Sequence, residues 1–205
     1  SGAGEFFEQP TVLVTELFGR HGFSHLDGTH LSGVYTLGRS LHRLDFGEGR
    51  ADFVVANAEN AAGGKGLTEK VVVELFAGGA DVLTLGDHTW DQKEIMEYLD
   101  RAPRVIRPSN FAPGCPGKGI TTCETRWGRI TVISVVGRVF LKPNDCPFRK
   151  MDSILSNGSD LGRVILLDIH AEATSEKIVM GRYVDGRVTA VFGTHTHVQT
   201  SDETI

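Results

Sequence analysis

The sequence predicts a layered α/β fold, and three observations predict it. Short β-branched runs alternate with helical patterns, most of those runs are apolar on both faces, and five of them lead straight into a carboxylate, amide or imidazole. A chain of 205 residues can bury a sizeable core within one domain of ordinary size. Residues 1–10 read as a tag-like or disordered lead, and residues 11–205 as a single domain.

Taken in order, the strands expected are TVLVT (Thr11–Thr15), DFVVANA (Asp52–Ala58), DVLTL (Asp81–Leu85), ITVISVV (Ile130–Val136), VILLD (Val164–Asp168) and VTAVF (Val188–Phe192). Two helices are expected between them. LTEKVVVELFAGG forms one from about Thr68 to Phe76, with Gly78 or Gly79 as its stop. TWDQKEIMEYLDRAP forms the other, opened by a Thr89/Gln92 capping box and ended before Pro103. Arg104 to Gly119 clusters proline and glycine and reads as loop. Residues 21–49 are glycine-rich and carry His21, His25, His30 and His42, which read as surface residues.

Composition narrows the function classes. A hydrophobic content of 40% with 23% charged residues is that of an ordinary globular protein, and a net charge of -5 provides no basic field for duplex nucleic acid. A small phosphate-bearing ligand remains admissible, because local cations or metal ions can reverse the field inside one cleft. Cys115, Cys123 and Cys146 are odd in number and form no Cys-x-x-Cys pair, which argues against a disulfide framework or a zinc knuckle and for a reducing, cytoplasmic setting. No apolar run reaches the roughly 18 residues of a membrane span, and SGAGEFFEQP lacks the basic flank and apolar centre of an export signal.

The residues after each strand carry the chemistry. Glu16 follows the first, Glu59 and Asn60 the second, Asp87 and His88 the third, His170 the fifth, and His195 and His197 the last. Ligands of α/β folds gather outside the carboxyl ends of strands, so residues far apart in sequence can converge there. In an extended segment His195 and His197 would point the same way and Thr196 the other. Mixed oxygen and imidazole donors suit manganese, iron or zinc, and seven candidates are enough for two divalent ions, with a carboxylate such as Glu59 able to bridge them. His88 need not be a ligand, and an imidazole there is well suited to give a proton to a leaving oxygen.

GDHTWD (Gly86–Asp91), DIHAEATSEK (Asp168–Lys177) and GTHTHVQT (Gly193–Thr200) resemble the metal-binding blocks of calcineurin-like metallophosphoesterases. The stretch from about Asp52 to Asp202, including NAENAAGGKGLTEK, RPSNF and PGKGI, is similar to the YmdB-like branch of that superfamily. The resemblance implies a four-layered sandwich of two mixed β-sheets flanked by helices. It implies a dinuclear metal centre and hydrolysis of a small phosphodiester or nucleotide, such as 2',3'-cyclic AMP. By position, Glu16, Glu59, Asn60 and His197 would surround one metal and Glu59, Asp87, His170 and His195 the other. Asn60 would also touch the substrate phosphate. His88 would be the general acid, and further strands would follow residue 205.

Two positions depart from the superfamily's pattern. Glu16 stands where aspartate is more usual, and Asp87 where Gly-Asn-His places an amide. Three carboxylates against two divalent ions should hold metal more tightly while weakening its Lewis acidity, so slower turnover or a different metal preference is expected. The same departures support an alternative, a non-catalytic metal- or nucleotide-binding regulator. GVYTLGRS (Gly33–Ser40) falls short of a P-loop because Arg39 replaces the lysine. GGKG (Gly63–Gly66) reads as a flexible loop whose Lys65 is a candidate substrate contact, while Arg107, Lys118 and Arg138 read as surface cations. Nothing in the pattern excludes a homo-oligomer.

Overall fold

The computed structural model describes residues 12–18 and 32–36 as backbone strands, together with residues 52–157, 161–198, 200 and 204. The N-terminal lead, Arg39 and His21, His25, His30 and His42 lie outside the described residues.

The strands form two mixed sheets. In the first, β1 (Val12–Phe18) pairs antiparallel with β2 (Ser32–Thr36) and parallel with β3 (Phe53–Asn60), and β4 (Val82–Thr84) and β5 (Val105–Ile106) extend it in parallel, giving the order β2-β1-β3-β4-β5. In the second, β6 (Ile120–Thr125) pairs antiparallel with β7 (Gly128–Val136), which is followed in parallel by β8 (Val164–His170) and β9 (Ala190–Thr194). Helices α1 (Glu69–Ala77) and α2 (Ile95–Leu99) cover the outer face of the first sheet, and α3 (Pro147–Asn157) and α4 (Thr174–Tyr183) that of the second. The expected four-layered α/β sandwich is therefore the fold.

Strand parity builds these layers. Along β3, Phe53 and Val55 face the second sheet, whereas Ala56 and Ala58 pack beneath the α1 layer with Leu67, Val72 and Leu83. Along β8, Val164 and Leu166 face the first sheet, whereas Leu167 and Ile169 pack under α3 and α4 with Met151 and Met180. Both faces of the central strands are dry, which is why their sequences read as continuous apolar runs. Each fully buried Leu or Ile on these faces contributes about 1.5–3 kcal/mol.

Several expectations are corrected. The second helix is confined to Ile95–Leu99 and has no capping box: the Thr89 hydroxyl donates to the Gly86 carbonyl at 2.6 Å, and the Gln92 amide to the Lys65 carbonyl at 3.0 Å. Those side chains hold the loop after β4 instead of starting a helix. The first helix matches, with Thr68 as its N-cap accepting from the Val71 N–H and Gly78 as its C-cap. Strands β3 and β8 run two residues past the expected ends, so Glu59, Asn60 and His170 lie within strands. The 104–119 loop contains β5, a two-residue strand. Strand β2 falls within the glycine-rich segment and takes up the GVYT of GVYTLGRS. Helices α3 and α4 and strand β6 were not anticipated. For α3, the 3–4 spacing of Phe148, Met151, Ile154 and Leu155, all packed on the second sheet, was the available signal.

Candidate metal centre

The gap between the sheets changes character along its length. Its lower part holds Phe53, Val55, Val82, Ile106, Val164, Leu166 and Phe192. Two residues further along each strand, the same inward rows place Asn57, Thr84, Asp168 and Thr194, all 3% exposed or less. The Asp168 carboxylate accepts from the Thr84 hydroxyl at 2.5 Å, the Thr194 hydroxyl at 2.7 Å and the Asn57 amide at 3.4 Å. Asn57 also reaches Thr194 Oγ1 at 3.4 Å, and its Oδ1 accepts from the Glu59 N–H at 3.4 Å. Burial raises the Asp168 carboxyl to about 6, against the lowering effect of the His170 charge and the three hydrogen bonds.

Above this polar floor, at the carboxyl ends of the strands, Glu59, Asp87, His170 and His195 each offer one donor atom, and the four atoms lie within 4.8 Å of one another. His170 Nε2 is 3.2 Å from Glu59 Oε1 and 3.0 Å from Asp87 Oδ1. His195 Nδ1 lies 3.0 Å from His170 Nε2 and 3.2 Å from Asp87 Oδ1. His170 Nδ1 contacts Thr194 Oγ1 at 2.9 Å. Burial alone would lower the His170 pKa, but the charges and hydrogen bonds of Glu59 and Asp87 prevail and hold it up to about 10. Burial likewise opposes ionisation of Glu59 and Asp87. Glu59 is nevertheless held below its ordinary range by the His170 charge, and Asp87 by hydrogen bonds from His170 and His195.

This donor set fits a divalent cation. Two ring nitrogens face each other at 3.0 Å beside two carboxylates; a proton there can join only one pair of these donor atoms at a time, whereas a cation can take all four. The turn after β4 must also be glycine. A Cβ on Gly86 would lie 2.3 Å from His170 Cε1 and Nε2 and 2.5 Å from Glu59 Oε2.

The histidine pair is placed differently from the expectation. Strand β9 ends at Thr194, and His195 and His197 have φ of 94° and 52°, so the segment is a left-handed turn and not an extended run. Non-glycine residues at positive φ store strain, and such strain is characteristic of functional sites. The turn sends His195 to the four-donor cluster. His197 Nε2 instead lies 3.4 Å from Asn60 Nδ2, which is itself 3.1 Å from Glu59 Oε1. Asn60 thus meets the same Glu59 oxygen that His170 approaches, and His197 joins the group through Asn60. Glu16 lies on β1, paired in register with Asn57, and its side chain is outside the described residues.

His88 sits at the rim. Its backbone N–H donates to Glu59 Oε2 at 3.1 Å, its Nδ1 lies 2.9 Å from Asp91 Oδ2, and its Nε2 is 3.9 Å from Asp87 Oδ2. Lys65 is exposed on the loop whose carbonyl accepts from Gln92, beside Asp91. Sequence reasoning missed three carboxylates: Asp91 against His88, Glu172 3.0 Å from His195 Nε2, and Asp168. Asp91 and Glu172 stand inside the motif blocks, three and two residues from His88 and His170, which was the available signal. Of the cations, Arg107 is not a surface residue. It is 9% exposed and donates to the carbonyls of Pro108, Cys115 and Pro116, so it braces the loop.

Comparison with known proteins agrees with this geometry. The family described as YmdB-like protein matches residues 29–205, which begins upstream of the resemblance visible from Asp52. The 2',3'-cyclic-nucleotide 2'-phosphodiesterase of Bacillus subtilis (strain 168) is 51% identical over 153 residues, covering 75% of this chain and 58% of that protein. A crystal structure of a hypothetical protein from Thermus thermophilus superimposes with a TM-score of 0.72 at 45% identity, over 76% of this chain and 60% of the other. A Mycoplasma pneumoniae structure described as a novel phosphatase gives a TM-score of 0.76 at 26% identity, over 96% of this chain and 68% of that one. The chain thus spans little more than half the length of the Bacillus relative.

Proposed function

Because the chain belongs to the YmdB-like protein family, we propose that it is a dinuclear metal-dependent phosphodiesterase acting on small diesters of the 2',3'-cyclic nucleotide class. The observation that carries this reading is the convergence of Glu59, Asp87, His170 and His195 at the carboxyl ends of strands from both sheets. These four would hold one ion, and Glu16, Glu59, Asn60 and His197 the other, with Glu59 shared. Manganese or iron suits the oxygen-rich set best, and zinc is compatible with it. When bound, the two ions supply Lewis acidity for activating a water and neutralising the phosphate.

The remaining chemistry falls to the chain's own side chains. His88 is half-buried beside Asp87 and, as the imidazolium, gives the leaving oxygen its Nε2 proton while Asp91, 2.9 Å from Nδ1, accepts the proton the ring keeps. Asn60 and the exposed Lys65 contact the substrate phosphate. Free Cys115, Cys123 and Cys146 support a cytoplasmic setting, and among the described residues no helix is long and apolar enough to cross a membrane.

The test is elemental analysis of the purified protein, followed by hydrolysis of 2',3'-cyclic AMP with manganese by wild type and His88→Ala. About two ions per chain and a rate that His88→Ala lowers about 10²–10⁴-fold at unchanged metal content are expected. A folded, metal-loaded protein inert toward cyclic nucleotides and model diesters would instead identify the regulatory descendant, to which the Asp87 carboxylate points.

A further inference from the structure

Asp168 is 0% exposed, yet among the described residues its hydrogen-bond partners are Thr84, Thr194 and Asn57, none of them a cation. Burying a carboxylate whose direct hydrogen-bond partners are neutral is costly, and an apolar residue would continue the row of Val164 and Leu166. We propose that Asp168 and Thr194 form a positioning relay that sets which ring nitrogen of His170 faces the metal, an inference that rests on the metal-centre reading above.

The argument is one of proton direction. Thr194 has a single hydroxyl proton and lies 2.7 Å from Asp168 Oδ1 and 2.9 Å from His170 Nδ1. A carboxylate can only accept, so the proton goes to Asp168. If the hydroxyl turned toward His170 instead, its lone pairs would meet those of Asp168 at 2.7 Å. Thr194 Oγ1 must then accept at His170, which requires a proton on Nδ1. Nε2 is left as the lone-pair donor, aimed at the point shared by Glu59, Asp87 and His195. Thr84 and Asn57 fix the carboxylate itself, so the chain of hydrogen bonds runs from the rigid sheet interior to the metal-facing atom without a rotatable surface group. Groups of this kind orient metal-ligating histidines and increase their basicity.

The test uses the full chain and two readouts. Manganese affinity is measured by calorimetry, and the hydrogen-bonded Nδ1 proton of His170 by ¹⁵N-edited NMR, both without metal and with zinc. Thr194→Val keeps the shape but not the hydroxyl. It is expected to weaken manganese binding about 10- to 100-fold and abolish the protected Nδ1 resonance, with Thr194→Ser restoring both. A folded Thr194→Val protein with wild-type affinity and an intact resonance would overturn the relay. If that variant does not fold, Asp168→Asn decides on the same readouts, since it removes the charged acceptor and should move both. Metal-free His170 carries both ring protons, so there the resonance judges the hydrogen bond from Nδ1–H to Thr194, and a wild type that binds no manganese would refute the metal centre while that bond is still judged.

Discussion

Loading the four-donor cluster with manganese should expel a proton, and the geometry sets how many. His170 is held up to about 10 in the metal-free protein because Glu59 and Asp87 outweigh the opposing effect of burial. Below about pH 9 the ring therefore carries its second proton. Glu59 and Asp87, both held below their ordinary values, are ionised already and have none to give. A metal needs the Nε2 lone pair, so binding displaces close to one proton per chain at this cluster. Apparent affinity should then rise about tenfold per pH unit, equivalent to about 1.4 kcal/mol, from pH 7 to 9 and level off near the His170 value. Calorimetric titration at pH 7.5 in two buffers of different ionisation enthalpy counts the protons directly. Metal binding with no proton released, or with affinity flat across that range, would refute the charge assignment of the cluster. The sign for stability is opposite: a histidine raised above its ordinary value of 6.5 stabilises the metal-free fold fully below that value, and the contribution is lost as pH rises through about 10. Asp168, raised from 3.8 to about 6, acts in the window between those values and leaves this slope alone. The melting midpoint of metal-free protein should accordingly fall from pH 7 to 10.

Three further outcomes follow from single residues. Gly86→Ala places a Cβ 2.3 Å from His170 Nε2, so metal content by elemental analysis should collapse while circular dichroism stays that of a folded protein; full metal occupancy would show that the turn can retreat. Asp87→Asn removes one of the carboxylates on the cluster, and should weaken manganese affinity while raising the diester rate at saturating metal; an unchanged or lower rate would count against charge excess as the brake. Leu166→Ala opens a cavity in the inter-sheet core, where Leu166 is 0% exposed, and should cost about 2–5 kcal/mol in denaturant unfolding with little effect on metal stoichiometry.

Much of the fold was legible because strand signals are local. DFVVANA and VILLD had to be buried on both faces whatever their partners, and a polar residue directly after such a run had few places to go but a strand end. The four residues that converge were legible for the same reason, residue by residue, whereas their assignment to two metals rests on the resemblance of the motif blocks. Other elements were opaque: ITTCET reads as polar until Cys123 packs against the inter-sheet core, and Thr89 with Gln92 looks like a cap until Gly86 and Lys65 take those side chains.

By itself the sequence determined the α/β alternation, the strand-end set of carboxylates, amides and imidazoles, and the family to which they point. Only the tertiary structure decided that Asp168 turns into the gap between the sheets, that Glu172 stands behind His195, and that the histidine pair lies on a left-handed turn which sends His195 to Asp87 and His170 and His197 to Asn60. The physical reason is that period-two alternation tells neighbours apart but does not name a face. Which face becomes the interior, and which buried groups can exchange a proton there, follows only when a second sheet closes over the first.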